Sequence, residues 1–418
     1  MKEYHSTSGI IIKYYEKNIE IILKSISELK KEIMQSNSLF VGFGISFPLH
    51  NLAKLIKIED YEDEDLLRSL IFKGIVSNPN ISETKVEDFL EILGKGIKKF
   101  NSRKTQEFHI LYPINISEEI FSIDTVITIN NIAIKVFSWE YISGKYQIET
   151  LLQEIEEIAK PAKPAFKLDY LKKMTTPFFA HVIDKTFESA FRRVEISAEI
   201  LRSILNFYES DMVNIHFGIP EPTAKIRKVG HYGIFSPEGK LIAPYIDQST
   251  QTLRDNKNLK IISINEVLSF IKNLQDNKST INGILISSIK LYNSALDTTD
   301  DSNAFLSLWQ CLESITMLTR ERYRMSEVVE RVQCLLNIKQ LTYKYFLDLS
   351  ASRRNDLVHK GIFNVEGQSE VQLLKIICCF CIRSFIKKIE KYKTCNEMES
   401  FYKIAKLDQN KRKIYKRL

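Results

Sequence analysis

One short stretch near the end of the chain concentrates side chains that could do chemistry. It reads Ser352-Arg353-Arg354-Asn355-Asp356-Leu357-Val358-His359-Lys360-Gly361. A histidine such as His359 can transfer protons near neutral pH. An arginine such as Arg354 holds phosphate oxygens with its planar guanidinium and keeps its charge. The stretch therefore carries groups for proton transfer and for binding a phosphate.

Helix capping is a competing explanation for part of this stretch. A glycine such as Gly361 commonly follows the last turn of a helix, and basic residues such as His359 and Lys360 interact favourably with the helix dipole there. Capping does not explain two arginines followed by an Asn-Asp pair, because Asn and Asp are poor residues for a helix interior. On these local features alone, both explanations stay open.

The order Arg354-Asn355-Asp356-Leu357-Val358-His359 resembles the signature of the HEPN superfamily of helical ribonucleases: an arginine, a polar residue, spacers and a histidine. An upstream helical pattern with Trp309 and Glu313 looks like the helix that precedes this signature in the family. Within the superfamily the chain is most similar to the Apea-like group, whose members often carry a divergent α+β region ahead of the bundle. The resemblance covers residues 283–392.

The resemblance implies a metal-independent cleavage of RNA, in which the ribose 2′-OH attacks the adjacent phosphate and the 5′-oxygen leaves. His359 would then move the proton, and Arg354 would stabilise the developing negative charge. Asn355 is expected to support them, and Glu313 is expected to face the site from the upstream helix. Neither a metal ion nor a cofactor is expected.

The expected partner is RNA, with tRNA as one candidate. Arg353 either binds a substrate phosphate or is simply exposed, and Lys360 is a second candidate for substrate binding. The basic tail Lys411-Arg412-Lys413-Ile414-Tyr415-Lys416-Arg417 either contacts an RNA backbone or forms a solvated terminus. The net charge of +7 permits a nucleic-acid partner without demanding one.

Helix geometry complicates a site made by one chain. Residues five positions apart on an ideal helix, such as Arg354 and His359, differ by about 140° around the axis. Either the helix ends or bends between them, or the long arginine wraps around the helix, or two chains share the site. HEPN domains commonly dimerise in the last way, so we expect a homodimer through residues 283–392.

The hydrophobic patterns predict an α+β N-terminal region followed by an all-α, HEPN-like helical bundle. We expect a mostly helical region over 1–105, an α+β domain over 106–280, the bundle over 281–400 and the basic tail over 401–418. Alternating apolar residues predict a strand from Phe108 to Ile116. Other patterns predict hairpins with turns at Asn130-Asn131 and Pro237-Glu238-Gly239-Lys240, and a helix over 13–35.

The cysteines and the histidine that could bind a metal elsewhere in the chain are predicted to have structural roles. Cys378, Cys379 and Cys381 have CCxC spacing inside an apolar helical pattern, so we expect small core residues rather than a metal site. His181 lies in an apolar strand pattern, so we expect a hydrogen-bonded core histidine.

Composition excludes several classes of protein. The 418 residues are 44% hydrophobic and 27% charged, which excludes wholesale disorder. No apolar run reaches the length of a membrane span, and the first residues lack the apolar core of a signal peptide, so the expected location is the cytoplasm, without a membrane partner.

The sequence thus predicts an endoribonuclease, with the resemblance suggesting bacterial antiviral defence or a toxin system. The N-terminal region would sense a trigger or recruit a regulatory protein. One alternative is a catalytically silent HEPN module that dimerises or binds nucleic acid or protein. Another is a regulator whose α+β region binds a ligand and whose bundle only dimerises.

Overall fold

The computed structural model describes residues 2–35, 52–58, 64–78, 85–116, 121–159, 168–209, 224–227, 229–246, 264–276, 279–320, 322–337, 340–360 and 368–405. Gly361 and the basic residues at 411–417 lie outside these ranges.

The described chain forms two compact units. The first contains residues 1–106 and 183–189, and the second contains residues 107–182 and 190–418. The boundary that the sequence predicts at 105 and 106 falls at the junction between these units. The boundary predicted at 280 lies inside the second unit.

The first unit combines a small antiparallel sheet with helices. Its elements are β1 Lys2–His5, β2 Ile11–Tyr14, α1 Ile19–Gln35, β3 Ile56–Ile58, α2 Glu64–Val76 and α3 Val86–Asn101. The strand order is β1-β2-β3, and Ile12 of β2 lies opposite Ile58 of β3. The sequence predicts helix from residue 13, but β2 continues through Tyr14. The apolar residues 10–12 favour a strand, and pairing on both edges extends it.

A six-stranded sheet forms the centre of the second unit, in the order β5-β6-β7-β4-β8-β9. The strands are β4 Gln106–Ile114, β5 Val126–Ile129, β6 Ile132–Val136, β7 Thr176–Asp184, β8 His231–Phe235 and β9 Leu241–Ile246. Both predicted hairpins are confirmed. Asn130 and Asn131 adopt φ values of 50° and 63°, and Gly239 adopts 87°, as tight turns between antiparallel strands require.

Strand β4 is buried on both faces from Phe108 to Ile114, although its sequence alternates. It lies between β7 and β8, with helices on both sides of the sheet. The Leu111 side packs with Trp139 and Leu151, whereas the Tyr112 hydroxyl donates to Glu199 on the opposite side. The apolar face with Tyr112 therefore meets a partly polar core, and the alternate face with His109 and Leu111 meets an apolar core rather than water.

In the described part of this region, the helices beside the sheet are α4 Trp139–Lys145, α5 Ile148–Ala159, α6 Leu168–Met174, α7 Phe187–Glu209 and α8 Ile264–Asp276. Helix α5 packs against β8 and β9, and α8 packs against β5. Helix α7 has buried residues along nearly its whole length, because it packs against other elements on more than one side.

The C-terminal part of the second unit is helical, as predicted. It contains α9 Thr280–Asp297, α10 Asp301–Met317, α11 Met325–Leu336, α12 Leu341–Lys360, α13 Gln368–Ile389 and α14 Cys395–Ala405. Helix α10 is central and packs against α9, α11, α12 and α13. Residues 401–405, assigned to the tail from the sequence, belong to α14. Among the described helices, none is long and apolar enough to cross a membrane.

A buried arginine joins the helix that covers the sheet to the first helix of the bundle. Arg202 of α7 is 1% exposed and donates to both carboxylate oxygens of Asp297, at 2.9 and 2.5 Å. It also donates to Glu199 at 2.8 Å and to the carbonyl of Ile226. The two carboxylates and the guanidinium compensate one another, so their burial depends on all three.

Replacing Arg202 should therefore destabilise the second unit strongly. We expect Arg202→Met to lower the free energy of unfolding by about 3–5 kcal/mol, because Asp297 and Glu199 lose their cation. Arg320→Met is the control, since Arg320 pairs with Glu327 at the surface and should cost under about 1 kcal/mol. Urea unfolding followed by circular dichroism measures both. Equal losses in the two variants would contradict the role given to Arg202.

Candidate active site

A buried carboxylate on α10 organises the candidate site. Glu313 is 8% exposed, and the indole Nε1–H of Trp309 donates to its Oε1 at 2.9 Å. The two residues are four positions apart, so they share one face of the helix. Asp300 caps the start of α10 by accepting from the backbone amides of Ser302 and Asn303. The Glu313 carboxylate is thus buried with a hydrogen-bond donor on its own helix.

Arg354 of α12 approaches this carboxylate from the neighbouring helix. Its Nη2 lies 3.4 Å from Oε1 of Glu313, and its side chain is 20% exposed. Tyr323, which precedes α11, is also close: burial and then the negative charge of Glu313 raise the pKa of its hydroxyl. The expected proximity of Glu313 and Arg354 is therefore present, with Trp309 and Tyr323 as further neighbours.

His359 does not join this cluster within one chain. Helix α12 is continuous from Leu341 to Lys360, so it neither ends nor bends into another element between Arg354 and His359. The two residues lie about 140° apart around its axis. Arg354 faces the bundle and His359 is exposed. Among the described residues, no hydrogen bond or ion pair holds the imidazole.

The other site residues differ in their surroundings. Arg353 is paired with Glu370 of α13, a carboxylate that is 6% exposed and also accepts from the Ser350 hydroxyl. This guanidinium has a structural partner and is not simply exposed. Lys360 is exposed and contacts Asp356 one turn earlier at 2.8 Å. Asn355 is partly exposed between these positions.

The cysteine group lies in the bundle core. Cys378, Cys379 and Cys381 are at most 1% exposed, and Cys378 donates to the carbonyl of Leu308 at 3.2 Å. Burial raises the pKa of Cys378 and Cys381 well above the usual value, so these thiols stay protonated. They pack α13 against α10 as small apolar residues.

A second polar cluster lies on the six-stranded sheet and was missed from the sequence. Glu107 and His109 of β4 meet His181 of β7, which is exposed rather than the expected core histidine. Ala180 and Val182 are buried on the other face of the sheet, whereas His181 shares its face with buried Phe179 and still has about half of its side chain exposed. Glu107 and His109 are two positions apart on a strand, which indicates a shared face, but nothing local in the sequence points to β7 as their neighbour.

Comparisons with known proteins add no relative. Nothing matched this chain among family models, curated proteins or solved structures.

Removing the buried carboxylate should weaken the bundle. We expect Glu313→Ala to lower the free energy of unfolding by about 1–3 kcal/mol, because the Trp309 indole and the Arg354 guanidinium lose an acceptor. Asp348→Ala is the control, since Asp348 pairs with Lys344 at the surface and its replacement should cost about 0.5 kcal/mol or less. Urea unfolding measures both, and no difference between them would show that the carboxylate contributes nothing.

Proposed function

We propose that the C-terminal bundle is a HEPN-like, metal-independent endoribonuclease that acts as a homodimer. The proposal rests on the resemblance of residues 283–392 and on one structural observation. Arg354 of α12 lies beside the buried Glu313 of α10, and α12 also carries the exposed His359. A guanidinium fixed by a rigid carboxylate is pre-oriented, as a group that stabilises charge in a transition state should be.

The active site is composite, because each chain presents its Arg354 and its His359 on different sides of α12. In a two-fold dimer, Arg354 of one protomer faces His359 of its partner across a common cleft. The straight helix is then compatible with catalysis, and a single protomer is inactive.

An exposed apolar strip on α12 offers an interface for a second copy of the chain. Leu341 and Tyr345 are 79% and 70% exposed, and Leu349 is 38% exposed. These residues are four positions apart, so they form one strip. His359 follows Leu341 by 18 positions, which is about five full turns, and therefore lies on the same side. A second copy that covers this strip would therefore also lie beside His359.

The chemistry requires one proton relay and one charge contact. An imidazole of His359 accepts the proton of the 2′-OH, whose oxygen forms a bond to the adjacent phosphorus. Arg354 contacts the phosphate oxygens as negative charge develops on them. The bond from phosphorus to the 5′-oxygen breaks, and this oxygen takes up a proton. The products are a 2′,3′-cyclic phosphate and a 5′-hydroxyl end.

The biological setting in this proposal is antiviral defence or a toxin system in bacteria, controlled by the N-terminal region. The second candidate is a silent HEPN module that dimerises or binds a nucleic acid or protein. One observation favours it: the Arg354 guanidinium already has an anionic partner in Glu313 and is only partly exposed. An arginine with only a structural role would have the same surroundings. A measurement of ribonuclease activity therefore distinguishes the two candidate functions.

Cleavage assays with the full chain test the activity. We expect the wild type to cleave total RNA or tRNA in EDTA and leave 2′,3′-cyclic phosphate ends. Arg354→Ala and His359→Ala should each lower the rate by at least about 100-fold. Arg320→Ala and His5→Ala, which replace exposed residues elsewhere, should keep the wild-type rate. Equal cleavage by all variants would point to a contaminant or to another site.

Mixing the two inactive variants tests the composite site. Half of the dimers that form from equal amounts of Arg354→Ala and His359→Ala combine one chain of each kind. Such a dimer retains one intact pair, Arg354 from one chain and His359 from the other, so about a quarter of wild-type activity should return. If each site used both residues of one chain, the mixture would stay inactive.

Sedimentation tests the dimer independently of activity. We expect a dimer mass at micromolar concentration, because a second copy buries the strip of Leu341, Tyr345 and Leu349. Replacing Leu341 and Tyr345 together by Ser should shift the mass to that of the monomer without unfolding the bundle, since both side chains are largely exposed. A wild type that is strictly monomeric would count against the composite site.

A further inference from the structure

We propose that Glu107, His109 and His181 bind a divalent transition-metal ion of the Zn²⁺ class on the six-stranded sheet. The site lies on β4 and β7, away from the α10–α12 cluster in the chain, and it does not rest on the proposed nuclease activity. Two imidazoles and one carboxylate form a donor set that suits Zn²⁺, and a fourth position remains for water.

The donor atoms of the three residues already lie close to one another. Nε2 of His109 is 2.9 Å from Oε1 of Glu107, and Nδ1 of His181 is 3.9 Å from the same oxygen. One donor atom from each residue lies within 4.8 Å of the other two. Ligand atoms of a tetrahedral Zn²⁺ are about 3.3 Å apart, so Nε2 of His109 would move slightly away from Glu107 and Nδ1 of His181 would move closer to it.

His109 has the support typical of a metal ligand. Its ring is buried, and its Nδ1 lies 2.9 Å from the Tyr146 hydroxyl. In the metal-bound form Nδ1–H donates to Tyr146, which leaves the Nε2 lone pair directed at the ion. Partners of this kind fix the tautomer and the orientation of histidine ligands. Tyr146 is therefore a positioning residue of the site.

Binding requires one movement. The rings of His109 and His181 are stacked, with centroids 4.0 Å apart and planes only 7° from parallel. Two parallel imidazoles cannot direct their in-plane lone pairs at one ion, so one ring must turn. His181 is the ring that can move, because about half of its side chain is exposed, whereas His109 is enclosed.

The charged groups around the site have opposing effects on its affinity for a metal ion. Burial, and then the neighbouring His109, lower the pKa of His181, so its ring is neutral and available to a metal at neutral pH. The hydrogen bond from His109 lowers the pKa of Glu107, which keeps this carboxylate charged. Lys145 and Lys135 add positive charge nearby and weaken the affinity for a cation. Binding should also weaken as the pH falls, because protons compete with the metal for the imidazole nitrogens.

Titration of the full-length protein with Zn²⁺, and with Co²⁺ as a spectroscopic probe, tests the site. We expect one ion per chain by calorimetry, and a Co²⁺ spectrum without the thiolate charge-transfer band that cysteine ligands would add. Metal binding should also shift the His181 ring resonances as the stack opens. His181→Ala and Glu107→Gln should each weaken binding by at least about tenfold, as should Tyr146→Phe, which keeps all three ligands.

His5→Ala is the matched control. His5 is an exposed histidine 3.8 Å from Glu3, a similar His–Glu pair without a second histidine in the described cluster. Its replacement should leave Zn²⁺ affinity unchanged. The proposal fails if the wild type shows no saturable binding, or if His181→Ala binds as tightly as the wild type. A thiolate band would likewise overturn it by assigning the ion to cysteine.

Discussion

The burial of the Glu313 carboxylate constrains the whole helical region. A charged oxygen inside a bundle needs partners that replace water, and Trp309 and Arg354 supply them. These contacts tie α12 to α10, and the side of α12 that faces inward also carries the buried Leu347 and Ala351. Since α12 is one continuous helix, the same constraint turns His359 outward. The spacing of five residues thus separates the two candidate catalytic groups, and the contact with Glu313 accompanies the inward position of Arg354.

Buried Arg202 and its carboxylate partners connect the sheet to the helical bundle. Arg202 lies between Glu199 on its own helix and Asp297 at the end of α9. Glu199 in turn accepts from Tyr112 of the central strand. A chain of charge-assisted hydrogen bonds thus runs from the sheet into the first bundle helix. This continuity explains why the sheet and the bundle form one compact unit although their sequence patterns differ.

The two faces of β4 perform different tasks. On one face Tyr112 contributes to the link with α7, and on the other face His109 is held by Tyr146 beside His181. Both faces are buried along most of the strand, so polar groups survive there only with partners. The hydrogen bonding of His109 is satisfied without an ion, because Tyr146 and Glu107 lie within hydrogen-bond distance of its two ring nitrogens. Metal binding would replace the hydrogen bond between His109 and Glu107.

Local patterns predicted the elements well where a period or a turn signal was strong. The hairpin at Asn130-Asn131 follows from residues that tolerate positive φ, and the bundle helices follow from apolar repeats. The start of α1 was wrong because residues 11–14 fit a strand as well as a helix, and only their pairing with β1 and β3 decides. The exposure of His181 was missed for a similar reason: an apolar run does not say which residue of a strand faces out.

The sequence by itself determined which residues could do chemistry and which helices carry them, because residue type and periodicity are local properties. It placed Arg354 and His359 on one helix and indicated an angle of about 140° between them. Only the tertiary structure decided that this helix runs unbroken, that Arg354 contacts Glu313, and that Glu107, His109 and His181 meet. Those facts depend on contacts between residues far apart in the chain, which form when separate elements bury their apolar faces together.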